Sequence, residues 1–121
     1  MPVIEIEVDP KLVLKDKNVA VVVFYAPSCD DCVASETYEK VLSEEFVDQV
    51  HFYRFDAINN EEIADLYGID KYPTYIIFRR GKAMHGVLIE PCAEGEVRNW
   101  LEIHLRSSHY NPLRVDRRWR V

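Results

Sequence analysis

Seven consecutive hydrophobic residues, Val19–Tyr25, constrain the fold of this chain more than any other stretch. A strand with one face in water alternates hydrophobic and polar residues, whereas a strand that is hydrophobic at every position is covered on both faces. The run reaches Pro27, which makes it nine residues long and too short to cross a bilayer. The sequence therefore predicts a central strand with helices above and below it.

Strand and helix patterns alternate along the rest of the chain. The pair Asp9-Pro10 is typical of a helix start, and Asn59 is predicted to cap a later helix that ends at Gly68. The predicted strands cover residues 3–8, 19–25, 50–56, 75–78 and 83–89, and the predicted helices cover 9–17, 31–48, 59–68 and 93–106. This order, βαβαβαββα, indicates an α/β fold with a mixed sheet flanked by helices.

Length and charge limit the remaining classes of protein. The 121 residues suffice for one domain, predicted over 1–106, and a basic C-terminal extension over 107–121. The net charge is −6, although residues 106–121 hold five arginines and one acidic residue. An acidic body does not suit a nucleic-acid binder. The first residues show no secretory signal, so we expect a cytoplasmic protein that binds neither nucleic acid nor membrane.

The main chemical signal is the pair Cys29 and Cys32, placed where the central strand ends and a helix begins. Cysteines three residues apart in a first helical turn share a face and are close enough to form a disulfide. The first one meets the free N–H groups of the helix end, which favour a thiolate. The second lies one turn further and is expected to be more buried. Thiol–disulfide exchange needs this combination of an exposed nucleophile and a shielded resolving thiol.

Other interpretations of the pair remain open at this point. A zinc site needs four ligands, and the remaining candidates, which are Cys92 and four histidines, have irregular spacing. A purely structural disulfide or two unreactive thiols are also compatible with a single C-x-x-C motif. Cys92 itself is expected to be an inert, partly buried thiol.

Three segments resemble motifs of the thioredoxin family. Residues 24–32 (FYAPSCDDC) are similar to F-W-A-x-W-C-G-P-C, residues 67–74 (YGIDKYPT) to Y-G-I-x-x-x-P-T, and residues 78–82 (FRRGK) to F-x-x-G-x. The resemblance covers roughly residues 3–106. It implies the thioredoxin fold, which is a central mixed β-sheet of four to five strands flanked by helices on both faces.

The resemblance also implies roles for individual residues. Cys29 is the expected attacking thiolate and Cys32 the resolving thiol. Pro73 is expected to follow a cis peptide bond, and the backbone of Tyr72 to pair with an extended substrate segment. The expected partners are protein disulfides, as substrates, and an unidentified disulfide reductase, as electron donor. The protein itself is expected to be a monomer. The dithiol itself is the redox centre, so no metal or organic cofactor is expected.

Several positions depart from the family pattern. Val23 occupies the position of the family's buried carboxylate, and Glu36 and Asp56 are weak candidates to replace it as proton acceptor. Asp30 and Asp31 replace Gly-Pro; they are expected to tune the redox couple, because their charges oppose a thiolate at Cys29 and favour a reducing couple.

The substrate groove is also expected to differ from that of the family. Ser28 replaces Trp and Ile89 replaces Gly. Together with Tyr72 they are expected to reshape the groove and to give a narrower or different range of clients. The sequence therefore predicts a thiol–disulfide oxidoreductase that reduces or exchanges protein disulfides. The alternative is a binding or scaffold module with little redox turnover that holds a partner through this groove or through its Arg-rich tail.

Overall fold

The structure is a computed structural model that describes residues 3–91 and 93–106. The fold is built on one mixed sheet. Its strands are β1 Ile4–Ile6, β2 Ala20–Tyr25, β3 His51–Asp56, β4 Thr74–Arg79, β5 Lys82–Ala83 and β6 Leu88–Ile89. Its helices are α1 Pro10–Val13, α2 Asp30–Glu45, α3 Glu61–Leu66 and α4 Glu94–Arg106. The predictions for Cys92 and for the extension 107–121 lie outside the described residues.

The strand order is β1-β3-β2-β4-β5, with β6 also paired to β4. Strands β1, β3 and β2 run parallel, and β4 is antiparallel to β2 and to its short neighbours β5 and β6. Strand β2 therefore lies at the centre with β3 on one side and β4 on the other. In the described residues, no helix is long and apolar enough to span a membrane.

The prediction that β2 is covered on both faces is confirmed. Residues 20–24 are fully buried. Ala20, Val22 and Phe24 face a core that contains residues near and within α1 and α3, including Leu14 and Ala64. Val21 and Val23 face a second core with residues of α2 and α4, which include Leu42, Val97, Trp100 and Leu101. Two layers of helices thus enclose the sheet, as the hydrophobic run requires.

The predicted last strand, residues 83–89, is divided into β5 and β6. Gly86 lies between them with φ +83°, a left-handed conformation that interrupts an extended strand. Trp100 of α4 holds the chain in this place by donating from its ring nitrogen to the Gly86 carbonyl oxygen. The sheet consequently has six strands among the described residues rather than the four to five expected.

The predicted start of α3 is wrong by one residue. The N-cap is Asn60, and its side chain makes no capping hydrogen bond. The Asn59 side-chain amide instead donates to the Asp56 carboxylate at 2.9 Å, and the Asn60 amide donates to the Asp56 carbonyl at 3.0 Å. Both side-chain amides are thus hydrogen-bonded to Asp56, in the turn that follows β3. The end of the helix region at Gly68, with φ +74°, is as predicted.

Candidate active site: a dithiol at the start of α2

Cys29 is the N-cap residue of α2, four residues after the end of β2. Its backbone is extended, and its sulfur accepts a hydrogen bond from the Cys32 N–H at 3.1 Å. Free N–H groups at a helix start, together with the helix dipole, stabilise negative charge on an atom placed there. The local structure therefore presents the Cys29 sulfur to the end of the helix that favours a thiolate.

Cys32 differs from Cys29 in its exposure to solvent. Both residues carry free thiols, but Cys29 is half-buried whereas Cys32 is 1% exposed. Burial, followed by the contact with the Cys29 thiol, raises the pKa of Cys32 to about 12, and the nearby Arg54 guanidinium acts in the opposite direction. The two sulfurs are thus chemically unequal, with the accessible one in front of the shielded one.

The bend at Tyr72 and Pro73 lies against the dithiol. The peptide bond between these residues is cis, as predicted from the motif. The Cys29 thiol donates to the Tyr72 carbonyl oxygen, with the sulfur 3.7 Å from that oxygen. Pro73 is buried, and its carbonyl oxygen accepts from the Glu90 N–H at 2.9 Å. The backbone of this bend is therefore directly adjacent to the more exposed of the two sulfurs.

The other two predicted groove residues lie at the same end of the sheet. Ser28 is exposed and directly precedes Cys29. Ile89 in β6 is paired with Thr74, the residue after Pro73, and is 48% exposed. Ser28 thus adjoins Cys29 in the chain, and Ile89 adjoins the bend at Tyr72 and Pro73 through its pairing with Thr74.

Asp30 and Asp31 are the first two residues of α2, and both are exposed. Acidic residues in a first turn interact favourably with the helix dipole. Their charges also lie next to the Cys29 sulfur in the chain, so they oppose the thiolate that the helix end favours. The role of Asp30 and Asp31 in tuning the redox couple stays a prediction.

Sequence reasoning missed a buried carboxylate on the helix that carries the dithiol. Glu39 is fully buried and accepts hydrogen bonds from the Ser35 and Tyr75 hydroxyls, each at 2.6 Å, as well as from Arg54. Burial raises the pKa of this carboxyl, while Arg54 and the two hydroxyls oppose the rise. A signal was present in the sequence, because Glu39 is seven residues beyond Cys32 and so lies on the same helix face.

Arg54 of β3 is the partner of this carboxylate. It is 8% exposed and forms an ion pair with Glu39. One of its terminal nitrogens lies 3.5 Å from the Cys32 carbonyl oxygen, and the same nitrogen is 4.0 Å from Glu36. Its guanidinium carbon is 4.3 Å from the centre of the Tyr25 ring. The guanidinium is therefore enclosed by β2 and α2, directly behind Cys32.

The two proton acceptors considered from the sequence are placed less favourably. The Glu36 side chain is 57% exposed. The Asp56 carboxylate is already engaged, since it accepts from the Ile58 and Asn59 backbone N–H groups and from the Asn59 side chain. Asp56 therefore stabilises the turn after β3. Glu39 is the buried carboxylate most similar to the family's buried carboxylate, whose position is occupied here by Val23.

A zinc site at the dithiol would require further ligands close to both cysteines. Across residues 3–91 and 93–106, no three His, Cys, Asp or Glu side chains are grouped so that they can hold a metal ion. The dithiol has no third ligand of this kind in that range.

Comparison with known proteins decides the family. The thioredoxin family model matches residues 7–102, which is most of the chain. The chain belongs to the thioredoxin family. This thioredoxin-family protein is 30% identical over 79 residues to a thioredoxin of Malassezia sympodialis, with 64% of this chain and 75% of that protein covered. Such relatives support thiol–disulfide oxidoreductase chemistry in general.

Other relatives are longer than the matched region. Protein disulfide-isomerase A4 of Bos taurus is 37% identical over 75 residues, which cover 59% of this chain and 12% of that protein. Thioredoxin Y, chloroplastic, of Oryza sativa subsp. japonica is 32% identical over 75 residues, covering 62% and 45%. The chain thus spans less than half the length of these two relatives.

Solved structures agree with the fold. A mutant thioredoxin from Halobacterium salinarum superposes with a TM-score of 0.76 at 21% identity and covers 89% of this chain and 95% of its own. The Malassezia sympodialis thioredoxin superposes with a TM-score of 0.72 at 21% identity, covering 87% and 93%. At this level of identity the likeness shows the thioredoxin fold alone.

Proposed function

We propose that this thioredoxin-family protein reduces protein disulfides through the Cys29–Cys32 dithiol. One observation carries the proposal: the half-buried Cys29 sulfur lies between the first amides of α2 and the Tyr72 carbonyl, with the buried Cys32 behind it. A nucleophilic thiol at an open position and a shielded second thiol are what a two-step exchange requires. Family membership supports the same chemistry.

The exchange proceeds in two steps that balance in atoms and electrons. The Cys29 thiolate attacks one sulfur of the client disulfide; the other client sulfur leaves and takes up a proton, and a mixed disulfide forms. Cys32 then loses its proton and attacks the Cys29 sulfur, so that the second client sulfur leaves and is protonated. The client disulfide gains two electrons, and the dithiol becomes a Cys29–Cys32 disulfide.

The client is proposed to bind as an extended segment along the bend at Tyr72 and Pro73. Its backbone would pair with the Tyr72 peptide group, while Ser28 and Ile89 border its side chains. A disulfide reductase would return the dithiol to its reduced form. We place the protein in the cytoplasm as a monomer that needs no metal or organic cofactor.

Insulin reduction in the presence of dithiothreitol tests the proposal. The wild type is expected to accelerate precipitation of the insulin chains well above dithiothreitol alone, and Cys29→Ser to give the background rate. Cys92→Ser serves as the matched control for removal of a thiol. Equal rates for the wild type and Cys29→Ser would contradict the proposal and favour a binding module that keeps the fold without redox turnover.

A further inference from the structure

A buried ion pair lies behind Cys32 and takes no part in the exchange steps described so far. Glu39 and Arg54 are 0% and 8% exposed, and they join α2 to β3. Burying an ion pair gives little net stability, since well-packed apolar residues of the same volume often serve as well or better. The pair therefore needs an explanation other than stability.

The position of the Arg54 guanidinium supplies an explanation for the buried pair. Arg54 is paired laterally with Val23 in the sheet, and Val23 is apolar and fully buried. The polar group at this depth of the sheet therefore comes from β3 instead of β2. It reaches towards Cys32, with a terminal nitrogen 3.5 Å from the Cys32 carbonyl oxygen. An arginine in a protein stays charged at every accessible pH, so a positive charge is permanently held at this point.

We propose that Arg54 is a positioning residue for the resolving step, in which it favours the Cys32 thiolate, and that Glu39 sets how much of the Arg54 charge reaches Cys32. This inference rests on the proposed function, because it concerns the second of its two steps. In that step the Cys32 thiol attacks the mixed disulfide, the Cys29–Cys32 bond forms, and the proton lost by Cys32 ends on the departing client sulfur.

The charges around Cys32 support a role for Arg54. Several titratable or charged groups face this region from the surrounding elements: Cys29, Glu36 and Glu39 from α2 and its cap, Tyr25 from β2, Arg54 and Asp56 from β3, Glu5 from β1, and Tyr72 from the bend before β4. Among these named groups Arg54 is the one that carries a positive charge. Burial raises the pKa of Cys32, whereas a backbone hydrogen bond with Ala26 and, to a smaller extent, the charge of Arg54 lower it.

Glu39 controls this charge by partial neutralisation. Its carboxylate faces the guanidinium and is held in place by Ser35 and Tyr75. Removing the Glu39 charge leaves Arg54 uncompensated beside Cys32, whereas removing the Arg54 charge leaves Cys32 without a nearby cation. The two substitutions break the same ion pair, yet their effects on a thiolate at Cys32 have opposite signs. This difference distinguishes electrostatic control from a structural role.

The test follows the reaction of the reduced protein with 5,5′-dithiobis(2-nitrobenzoate) by stopped flow. The first thionitrobenzoate is released when Cys29 attacks the reagent, at a rate that depends on reagent concentration. The second is released when Cys32 resolves the mixed disulfide, at a rate that does not. Cys32→Ser identifies the second phase by removing it. Both phases are recorded from pH 5 to 10 for the wild type, Arg54→Met, Arg54→Lys and Glu39→Gln.

We expect Arg54→Met to slow the resolving phase about tenfold at pH 7 and to move its pH profile up by about one unit, the size typical of one close opposite charge. Arg54→Lys, which keeps the charge, is expected to stay within about threefold of the wild type, a shift of roughly half a unit. Glu39→Gln is expected to accelerate the resolving phase at pH 7. The rate of the first phase is expected to stay within about twofold of the wild type in all variants. The reason is that the substitutions lie behind Cys32, whereas the first phase is the reaction of Cys29.

The matched control is Arg80→Met, an exposed arginine in the turn at the opposite end of β4 from Pro73. It is expected to leave both phases unchanged. Circular dichroism and a denaturant midpoint show whether each variant is folded. If Arg54→Met does not fold, the rate of Arg54→Lys relative to the wild type and the sign of the Glu39→Gln shift still test the inference.

Three results would overturn the inference: an unshifted profile in Arg54→Met, a shift of the same sign in Arg54→Met and Glu39→Gln, or a loss in Arg54→Met that slows both phases equally. A wild type without a resolving phase and without insulin reduction would instead overturn the proposed function itself, so the two failures are distinguishable.

Discussion

The Cys29 sulfur lies 3.7 Å from the carbonyl oxygen of Tyr72, the residue that precedes the cis Pro73. The Cys29 sulfur thus contacts a backbone carbonyl group in addition to the Cys32 thiol. Pro73 is buried while Tyr72 is half-buried, so the chain passes from partly exposed to buried next to this sulfur. A client chain bound along the bend, as we propose, would meet the more exposed Cys29 thiol before the buried Cys32 thiol.

Cys32→Ser is therefore expected to trap a client on Cys29. The first attack needs only the accessible thiol, and a serine hydroxyl does not resolve the resulting mixed disulfide. Non-reducing electrophoresis and mass spectrometry of the variant incubated with oxidised insulin are expected to show a covalent adduct at Cys29. Cys29→Ser is the control, and an equal yield of adduct through its buried Cys32 would contradict the assignment of the two roles.

The features that sequence reasoning predicted correctly are those specified by neighbouring residues. The seven hydrophobic residues of 19–25 fix a central strand, whatever surrounds it. The placement of Cys29 at a helix start follows from the change of hydrophobic period after β2. The cis bond before Pro73 was predicted by the motif in which it occurs. None of these depends on how distant elements are arranged.

What could not be predicted depends on that arrangement. The sequence places Glu39 on the Cys32 face of α2, but nothing local shows that Arg54 of β3 lies under that face. Similarly, the division of the last predicted strand at Gly86 depends on a hydrogen bond from Trp100 in a later helix. Contacts between elements distant in sequence set both features.

Removal of Glu39 is expected to destabilise the fold strongly. Glu39→Ala leaves Arg54 buried without its partner and removes the acceptor for Ser35 and Tyr75. Loss of one member of a buried ion pair costs about 3–5 kcal/mol. The free energy of unfolding in urea measures the effect. Glu36→Ala, on an exposed side chain of the same helix, is the control and is expected to change it by less than about 1 kcal/mol.

Glu39→Ala and Glu36→Ala with equal free energies of unfolding would be evidence that the pair is not closed in solution. The comparison is informative because both carboxylates lie near the same guanidinium and differ mainly in burial.

Two glycines in the last third of the chain are expected to respond oppositely to alanine. Gly86 has φ +83°, and a Cβ there would lie 2.2 Å from His104 Nε2, so Gly86→Ala is expected to cost about 1–3 kcal/mol. Gly95 lies in α4 with open space around it, and Gly95→Ala is expected to stabilise by up to about 1 kcal/mol. Thermal unfolding of both variants is the measurement, and a stabilised Gly86→Ala would refute the left-handed conformation at that residue.

The stability of the reduced protein is expected to fall at alkaline pH because of Cys32. Burial raises its pKa to about 12 in the folded protein, compared with about 8.5 in an unfolded chain. Between these values the unfolded chain loses the Cys32 proton and the folded protein keeps it, so rising pH favours unfolding. Urea unfolding at pH 7.5 and 9.5 with a phosphine reductant is expected to show a larger loss for the wild type than for Cys32→Ala.

The difference between these two proteins isolates Cys32, since buried tyrosines with raised pKa values titrate alike in both. A Cys32→Ala variant that loses as much stability as the wild type would show that the Cys32 thiol is not shielded in the folded protein.

Replacing both acids at the start of α2 is expected to make the redox couple more oxidising. Asp30→Asn with Asp31→Asn removes two negative charges beside the Cys29 thiolate, which exists only in the reduced form. One exposed charge near a thiolate is worth about 1.4 kcal/mol or less, which equals roughly 30 mV for a two-electron couple. We therefore expect removal of the two charges to raise the potential by up to about 60 mV, measured by equilibration with glutathione redox buffers.

Glu44→Gln, an exposed carboxylate in the last turn of the same helix, is the control and is expected to leave the potential unchanged. Loss of the favourable contact between the two acids and the helix dipole weakens the oxidised and reduced forms alike, so it cancels in the potential although it lowers stability. A potential that falls or stays constant in the double variant would mean that the acids act on the helix alone. The reducing character expected for this couple would then need a source other than Asp30 and Asp31.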